Sequence, residues 1–166
     1  MTITVIQGPP ASGKSTLAKR LHKMDPEHSI IVSRDNIRES LGTYWIESRE
    51  DYVKKIEEQI IKTALEFGYD VIIDNTNMSK TQNKNWKWIA EFYNADIVFK
   101  KCYLQKEECK IRNKCKDRRP VPDEFIDEFF EHWDHIMKEW PDYKSWNTDW
   151  SSEEYDARMS YELFGG

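Results

Sequence analysis

A glycine-rich signature near the N-terminus constrains the fold of this chain more than any other feature. The segment GPPASGKST at residues 8–16 matches the pattern G-x-x-x-x-G-K-[ST], and it directly follows the apolar run TITVIQ. Glycines in this pattern let successive backbone N–H groups turn towards phosphate oxygens, and a helix that begins at the lysine adds its N-terminal dipole. A strand, this loop and a helix in that order predict a nucleotide-binding α/β domain.

The same loop predicts which groups contact the nucleotide. We expect Lys14 to reach the β- and γ-phosphates and the Ser15 hydroxyl to ligate Mg²⁺. The other loop positions predicted to bind ATP are Gly8, Ala11, Ser12, Gly13 and Thr16. The loop therefore predicts a nucleoside triphosphate and Mg²⁺ as ligands, and it leaves open whether the phosphate is transferred, hydrolysed or used to drive a motion.

Alternating strand and helix patterns predict the rest of the architecture. Short apolar runs indicate strands at residues 2–7, 29–33, 70–74 and 96–104. Helical periods and capping residues indicate helices at about 14–24, 34–42, 48–68, 79–94, 106–114 and 122–140. This order predicts an α/β layer fold of the P-loop NTPase type, with a parallel sheet of four or five strands, flanking helices and a helical lid. We predict one domain over residues 1–166, with about 138–166 as a C-terminal tail packed on the body or partly disordered.

Charge and hydropathy narrow the classes of function. The formal net charge of −5 argues against a protein that coats nucleic acid by bulk electrostatics. Residues 100–119 nevertheless carry nine Lys and Arg against three acidic residues, which predicts a local anion site. No run approaches the roughly 20 apolar residues of a membrane span. The N-terminus also lacks a signal-peptide pattern, so we expect a cytoplasmic protein without membrane contact.

A carboxylate and a guanidinium follow the second predicted strand, in the segment SRDNIRE. Asp35 and Arg38 are three residues apart, which places both on one face of a helix N-terminus. Ligands of parallel α/β sheets bind at the carboxyl ends of the strands, so this pair shares an edge with the phosphate loop. Transfer of a phosphoryl group to a hydroxyl needs a base, for which Asp35 is suited, and a cation such as Arg38 to hold an acceptor phosphate. The alternative is a structural ion pair.

Short polar residues also follow the third predicted strand, in the segment DNTN. Asp74 is not followed by the Glu that polarises water in many motor and switch NTPases, which favours phosphoryl transfer over hydrolysis. Asp74 is a candidate Mg²⁺ ligand, and Thr76 and Asn77 are candidate contacts for the acceptor. Turn formation and helix capping are the alternative for these residue types.

The basic segment IRNKCKDRRPVP supplies the cations of the predicted lid. We expect at least one of its cations to neutralise the γ-phosphoryl charge when the lid closes. The candidates for ATP binding are Arg112, Lys116 and Arg119. The candidates for catalysis are Lys116 and Arg118, together with Lys14, Asp35 and Arg38.

The segments GPPASGKST, SRDNIR, IIDNTN and RNKCKDRRPVP, in this order, resemble the 5′-kinase module of bacteriophage-type polynucleotide kinases. The resemblance runs over roughly residues 2–137. It implies transfer of the γ-phosphate of ATP to the 5′-hydroxyl of DNA or RNA, with Mg²⁺. It also implies that Lys14 and Ser15 bind ATP, that Asp35 is the general base and that Arg38 binds the 3′-phosphate of the acceptor nucleotide.

Two positions depart from that family. Its third-strand motif D-T-N is DNTN here, so the family aspartate falls on Asn75 or is replaced by Asp74. Its lid arginine falls on Lys116, with Arg118 and Arg119 close by. Two other functions stay open: a nucleoside or other small-molecule kinase that uses the same base, and an ATPase or NTP-binding regulatory module without an acceptor.

Overall fold

A parallel β-sheet forms the centre of the computed structural model, which describes residues 1–115 and 119–139. Its strands are β1 (Thr2–Gln7), β2 (Ser29–Val32), β3 (Asp70–Asp74) and β4 (Asp96–Lys101). The order is β2-β3-β1-β4, and each neighbouring pair is parallel. This confirms the predicted α/β fold. The fourth strand ends before residue 104 because Lys101 is in register with Gln7, the last residue of β1.

The described residues form six α-helices. They are α1 (Lys14–Met24), α2 (Arg34–Ser40), α3 (Glu50–Glu66), α4 (Lys80–Phe92), α5 (Lys106–Asn113) and α6 (Asp123–Met137). The hydroxyls of Ser33 and Ser79 accept hydrogen bonds from backbone N–H groups in the first turns of α2 and α4. These serine caps fix where both helices begin.

Apolar side chains attach helices to both faces of the sheet. Val71 and Ile73 of β3 share one cluster with Ile61 of α3 and Trp86 of α4. Ile72, which lies between them in the strand, belongs instead to the cluster that contains Leu17 and Ala18 of α1. Because successive side chains of a strand point to opposite faces, α1 lies on one side of the sheet and α3 and α4 lie on the other.

The last two described helices form a separate packed pair. A third apolar cluster contains Cys109 of α5 together with Ile126, Phe130 and Met137 of α6. The Asn113 side chain closes the connection, since its Nδ2 donates to the Val121 carbonyl (2.6 Å) and its Oδ1 accepts from the Val121 N–H (3.0 Å). This pair occupies the place in the chain where the sequence predicts a helical lid.

Some predictions fall outside the described residues. Lys116, Arg118 and almost all of the predicted tail belong to this group. The single-domain prediction for residues 1–166 therefore stays a prediction. Among the helices at residues 1–115 and 119–139, none combines the length and apolar character needed to cross a membrane.

Candidate active site

Gly8 begins the phosphate loop at a point where three strand ends meet. Its N–H donates to the carbonyl of Thr76, beyond β3, at 3.2 Å. A Cβ at this position would lie 2.0 Å from the carbonyl oxygen of Cys102, beyond β4. No side chain fits at that distance, so the loop can follow this path only with glycine at residue 8.

The middle of the loop turns sharply and buries a hydroxyl group. Ala11 and Gly13 have φ angles of 61° and 95°, which turn the chain before α1 begins. Ser12 is completely buried, and its Oγ has no hydrogen-bond partner among the described residues. A buried hydroxyl without a partner is costly unless a ligand satisfies it. The loop therefore fits a phosphate group.

Lys14 and Ser15 open α1 beside the carboxylate that ends β3. The Lys14 Nζ is buried and donates to the Pro9 carbonyl at 2.6 Å, so its stem curves back over the loop. The Ser15 hydroxyl is hydrogen-bonded to Asp74. Burial raises the pKa of Asp74, while the nearby Lys14 ammonium and the Ser15 hydrogen bond oppose that rise. A carboxylate and a hydroxyl side by side are hard oxygen ligands of the kind that Mg²⁺ prefers.

Asn75 points away from the phosphate loop and joins β3 to α2. Its Oδ1 accepts from the backbone N–H of Arg34 at 3.0 Å, and its Nδ2 donates to Glu57. Glu57 is completely buried and also accepts from the Arg34 Nε at 2.7 Å. Of the two residues that could match the family aspartate, Asp74 is therefore the one that lies beside the phosphate loop.

Asn77 is a predicted acceptor contact, and that role stays a prediction; in the structure its side chain joins two strands. It is buried with a φ angle of 53°, and its Nδ2 donates to the carbonyls of Ile6 (2.6 Å) and Ile73 (3.1 Å). Its amide therefore ties β1 to β3, which explains why a polar residue follows the strand. Thr76 is exposed at the same edge of the sheet, and a contact between its side chain and an acceptor stays a prediction.

Asp35 lies exposed in the first turn of α2, with two donors on one oxygen. Its side chain is 67% exposed. Its Oδ1 accepts from Arg38 Nη1 at 2.8 Å and from the Tyr44 hydroxyl at 2.6 Å. Burial, and then the hydrogen bond to Asp35, raise the pKa of Tyr44 to about 12, so that this phenol stays a donor. These contacts fix the carboxylate while leaving it accessible to solvent.

Arg38 is held between two carboxylates and beside an indole. Its Nε and Nη2 donate to Glu50 Oε1 at 3.0 Å and 2.6 Å, in addition to the bond from Nη1 to Asp35. Burial opposes the charged form, but the hydrogen bond and charge of Glu50, with the charge of Asp35, give a net rise in the pKa of Arg38. The guanidinium carbon lies 5.3 Å from the centre of the Trp45 ring. An oriented cation beside an exposed aromatic ring results.

Arg119, in the basic segment IRNKCKDRRPVP, contacts the cluster around Asp35. The Arg119 guanidinium lies 4.0 Å from the centre of the Tyr44 ring, and its Nη2 donates to Glu39 at 3.2 Å. The structure thus places Arg119 against Tyr44, the residue whose hydroxyl donates to Asp35, and the predicted contact of Arg119 with ATP stays a prediction. Arg112 pairs with Glu108 on its own helix, at 3.9 Å.

Sequence reasoning missed three members of the cluster around Asp35. Tyr44 and Trp45 lie in the loop after α2, and Glu50 begins α3. The adjacent aromatic pair was a visible signal, because Tyr and Trp are enriched at interfaces. Glu50 gave no signal, since it meets Arg38 only after the chain has turned between α2 and α3.

The chain resembles known proteins over most of its length. A family model described as an AAA domain matches residues 3–136. The L-seryl-tRNA(Sec) kinase of Methanococcus maripaludis is 29% identical over 136 residues, which cover 80% of this chain and 52% of that protein. The chain thus spans about half the length of this curated relative.

Solved structures show the same fold. A chain of the Pnkp1/Rnl/Hen1 RNA repair complex superposes with a TM-score of 0.72 at 25% identity, covering 84% of this chain and 46% of that chain. The APS kinase CysC of Mycobacterium tuberculosis, solved with AMPPNP and APS, superposes with a TM-score of 0.57 at 14% identity, covering 82% and 97% respectively. The chain therefore belongs to the AAA domain family, in which it is a P-loop kinase domain with an α/β fold.

Proposed function

We propose that this chain is an ATP-dependent polynucleotide 5′-hydroxyl kinase, which phosphorylates the 5′ end of DNA or RNA. The observation that carries the proposal is the cluster in which Arg38 is fixed between Asp35 and Glu50, beside Trp45. A nucleotide acceptor brings a hydroxyl, a phosphate and a base, and the cluster offers a carboxylate, a cation and an aromatic ring. The names of two relatives, a seryl-tRNA kinase and an RNA repair complex, support an acceptor that is part of a nucleic acid.

The donor side is the phosphate loop. Gly8 and Ser12 would lie against the phosphates of ATP, and Lys14 would place its cation on the β- and γ-phosphates. The oxygens of Ser15 and Asp74 would hold Mg²⁺. When bound, Mg²⁺ supplies positive charge that offsets the negative charge of the phosphates.

Asp35 would act as the general base for the acceptor hydroxyl. Because Oδ1 accepts from Arg38 and Tyr44, Oδ2 is the oxygen that would take the proton of the 5′-hydroxyl. The hydroxyl oxygen then forms a bond to the γ-phosphorus. The bond between that phosphorus and the β–γ bridging oxygen breaks, and ADP leaves with the electron pair. Lys14 would stabilise the charge that shifts onto the leaving oxygen.

Arg38 would hold the 3′-phosphate of the acceptor nucleotide. Its contacts to Asp35 and Glu50 use one N–H on each of its three nitrogens, and a guanidinium carries five. The other two N–H groups suit a phosphate, and Trp45 would stack on a base. Roles for Lys116 and Arg118 in neutralising the γ-phosphoryl charge remain proposals from the sequence.

The test is a panel of acceptors with γ-labelled ATP. It contains 5′-hydroxyl RNA, 5′-hydroxyl DNA, seryl-tRNA, a nucleoside 3′-phosphate, a free nucleoside and no acceptor. We expect label on the 5′ ends of oligonucleotides. Label on free nucleosides but not on oligonucleotides would indicate a small-molecule kinase. Label on seryl-tRNA alone would indicate the activity named for the Methanococcus maripaludis relative. Label found only as free phosphate would indicate an ATPase.

Two variants test the assigned roles. Asp35→Asn is expected to lower kcat by at least about 100-fold while ATP binding survives, because the base is lost and the phosphate loop is not. Asp51→Asn, at an exposed carboxylate in the first turn of α3, is the matched control. Arg38→Lys keeps the charge but loses the planar fork, so KM should rise more for a nucleoside 3′-phosphate than for a free nucleoside. Equal effects on both acceptors would remove the 3′-phosphate from the Arg38 site.

A further inference from the structure

A basic groove lies between α4 and the edge strand β4, away from the cluster around Asp35. Its volume is about 350 Å³. Four lysines line it, together with Asn83 and Phe99; the lysines are Lys80, Lys84, Lys87 and Lys101. We call this feature the lysine groove.

The lysines face the groove because of the spacing of α4. Lys80, Lys84 and Lys87 stand at i, i+4 and i+7, which places them along one face of the helix. The Trp86 and Ile89 side chains on another face are completely buried against the sheet. Since the whole chain carries a net charge of −5, this concentration of positive charge is local. It attracts an anionic ligand to one surface.

Two further groups make the groove more than a patch of cations. Asn83 Nδ2 donates to the Asn77 carbonyl at 2.9 Å, while its buried Oδ1 has no hydrogen-bond partner among the described residues. Phe99 is half-buried in the wall of the groove, and the Lys87 Nζ lies 5.4 Å from the centre of its ring. Cations, an aromatic face and an unused acceptor match the phosphates, bases and N–H or 2′-hydroxyl donors of a single strand.

The groove opens at the same edge of the sheet as the phosphate loop. Gln7 lines it and directly precedes Gly8, and its side chain donates to the carbonyl of Asn77, to which Asn83 also donates. In the sheet order, β4 lies three strand spacings from β2, or roughly 14 Å. An acceptor whose 5′ end is at Asp35 therefore reaches the groove only if it is longer than one nucleotide.

We propose that the lysine groove binds the body of the acceptor strand, a single-stranded DNA or RNA, downstream of its phosphorylated end. This rests on the proposed function, and it adds a second contact region for the same substrate. A strand held at two places binds more tightly than a mononucleotide held at one.

A triple substitution tests the proposal. Lys80→Gln, Lys84→Gln and Lys87→Gln are combined, and the control combines Lys23→Gln, Lys55→Gln and Lys138→Gln, which change three exposed lysines on α1, on α3 and beside the end of α6. The measurements are kcat/KM for a 5′-hydroxyl oligomer of about 12 nucleotides and for a nucleoside 3′-phosphate, and oligomer binding by fluorescence anisotropy.

The groove variant should lose oligomer affinity in a salt-dependent way. Three lost phosphate contacts reduce the slope of log affinity against log salt by about 2, because each contact contributes about 0.7 for a single strand. The ratio of wild-type to variant affinity should therefore shrink about 16-fold between about 50 and 200 mM salt. At about 50 mM salt, kcat/KM of this variant for the oligomer should fall at least about tenfold relative to kcat/KM for the nucleoside 3′-phosphate.

The outcomes separate this proposal from the proposed function. Equal losses of oligomer affinity in the groove variant and the control variant would refute strand binding by the lysine groove. Tighter binding of an acidic peptide than of an oligomer with equal charge would refute it as well. Phosphorylation of oligomers that is unaffected by the groove variant would also overturn the groove while leaving the kinase proposal intact. If no polynucleotide is phosphorylated and the groove variant still loses oligomer binding, the groove stands as a strand-binding site and the kinase proposal fails.

Discussion

A buried ion pair behind the site offers the sharpest test of how the fold holds Asp35. Glu57 is completely buried in α3, and it accepts from the Arg34 Nε at 2.7 Å and from Asn75. Asn75 in turn accepts from the backbone N–H of Arg34, the residue before Asp35. The substitution Glu57→Gln keeps the size of the side chain but removes the charge. It leaves the Arg34 cation without its anion in a side chain that is only 20% exposed.

The expected loss of stability follows from burial. Removing one partner of a buried pair costs about 3–5 kcal/mol, and partial exposure of Arg34 places this case at about 3 kcal/mol. At roughly 2–4 °C per kcal/mol for a domain of this size, Tm should fall by about 6–12 °C. The start of α2 loses an anchor as well, so kcat should fall with it while ATP binding changes less.

The neighbouring residue supplies a matched control. Glu58 pairs with Lys62 at 2.6 Å, but both side chains are 27% exposed and lie one turn apart on the same helix. Solvent screens such a pair, so Glu58→Gln should cost less than about 1 kcal/mol. Urea unfolding of both variants gives the midpoint and the slope m, and an unchanged m assigns the difference to the folded state.

Two results would refute the reasoning about Glu57. One is an equal loss of stability in Glu57→Gln and Glu58→Gln, since burial would then make no difference. The other is a double variant, Arg34→Gln with Glu57→Gln, that is less stable than Glu57→Gln alone. Removal of the unpaired cation is expected to restore part of the stability.

Three further predictions concern the site itself. Gly8→Ala should abolish the ATP binding that calorimetry measures, because its Cβ would lie 2.0 Å from a backbone oxygen. The control is Gly42→Ala, where nothing lies within 4 Å of the added Cβ and the expected cost is only about 1 kcal/mol of backbone strain. Burial raises the pKa of Asp74, so folding disfavours its charged form and stability falls as pH rises above the ordinary carboxyl range. Asp74→Asn should therefore raise Tm at about pH 7 but not in acid, and should lose stabilisation by Mg²⁺ and ATP; a lower Tm at neutral pH would contradict this. The pKa of Tyr44 is raised to about 12, so its hydroxyl stays protonated between about pH 7 and 10. Tyr44→Phe should therefore lower kcat by the same factor across this range, and a factor that shrinks as pH rises would remove Tyr44 as the donor to Asp35.

Local sequence signals predicted the fold well because they depend on near neighbours. The apolar run DVIID forms β3 from Asp70 to Asp74, and Ser79 caps α4 at the residue where the helix was predicted to begin. The spacing of Asp35 and Arg38 places them in contact within a single helical turn. In each case the interacting groups lie within a few residues of one another, so the pattern carries the geometry.

Contacts between distant segments could not be predicted in this way. Glu50 orients Arg38 only because α3 packs against α2, and nothing in the segment SREDYV marks that role. Arg119 donates to Glu39 across 80 positions of sequence, so its contacts with Glu39 and Tyr44 could not be inferred from its neighbours in the chain. The Asn77 amide is used by backbone carbonyls of two strands, a requirement that exists only after β1 and β3 have paired.

The environments of two carboxylates support different roles for them in the proposed reaction. Asp74 is the last residue of β3 and Asp35 follows the adjacent parallel strand β2, so both lie at the carboxyl edge of the sheet. Asp74 is half-buried beside Lys14 and Ser15, where the Lys14 ammonium stabilises its charge and where Mg²⁺ would find oxygen ligands. Asp35 is 67% exposed, and two donors fix its Oδ1, so its other oxygen can meet a hydroxyl that arrives from solvent. Exchanging these environments would leave a base that is less accessible to a polymer end, and this is why we assign the donor side to Asp74 and the acceptor side to Asp35.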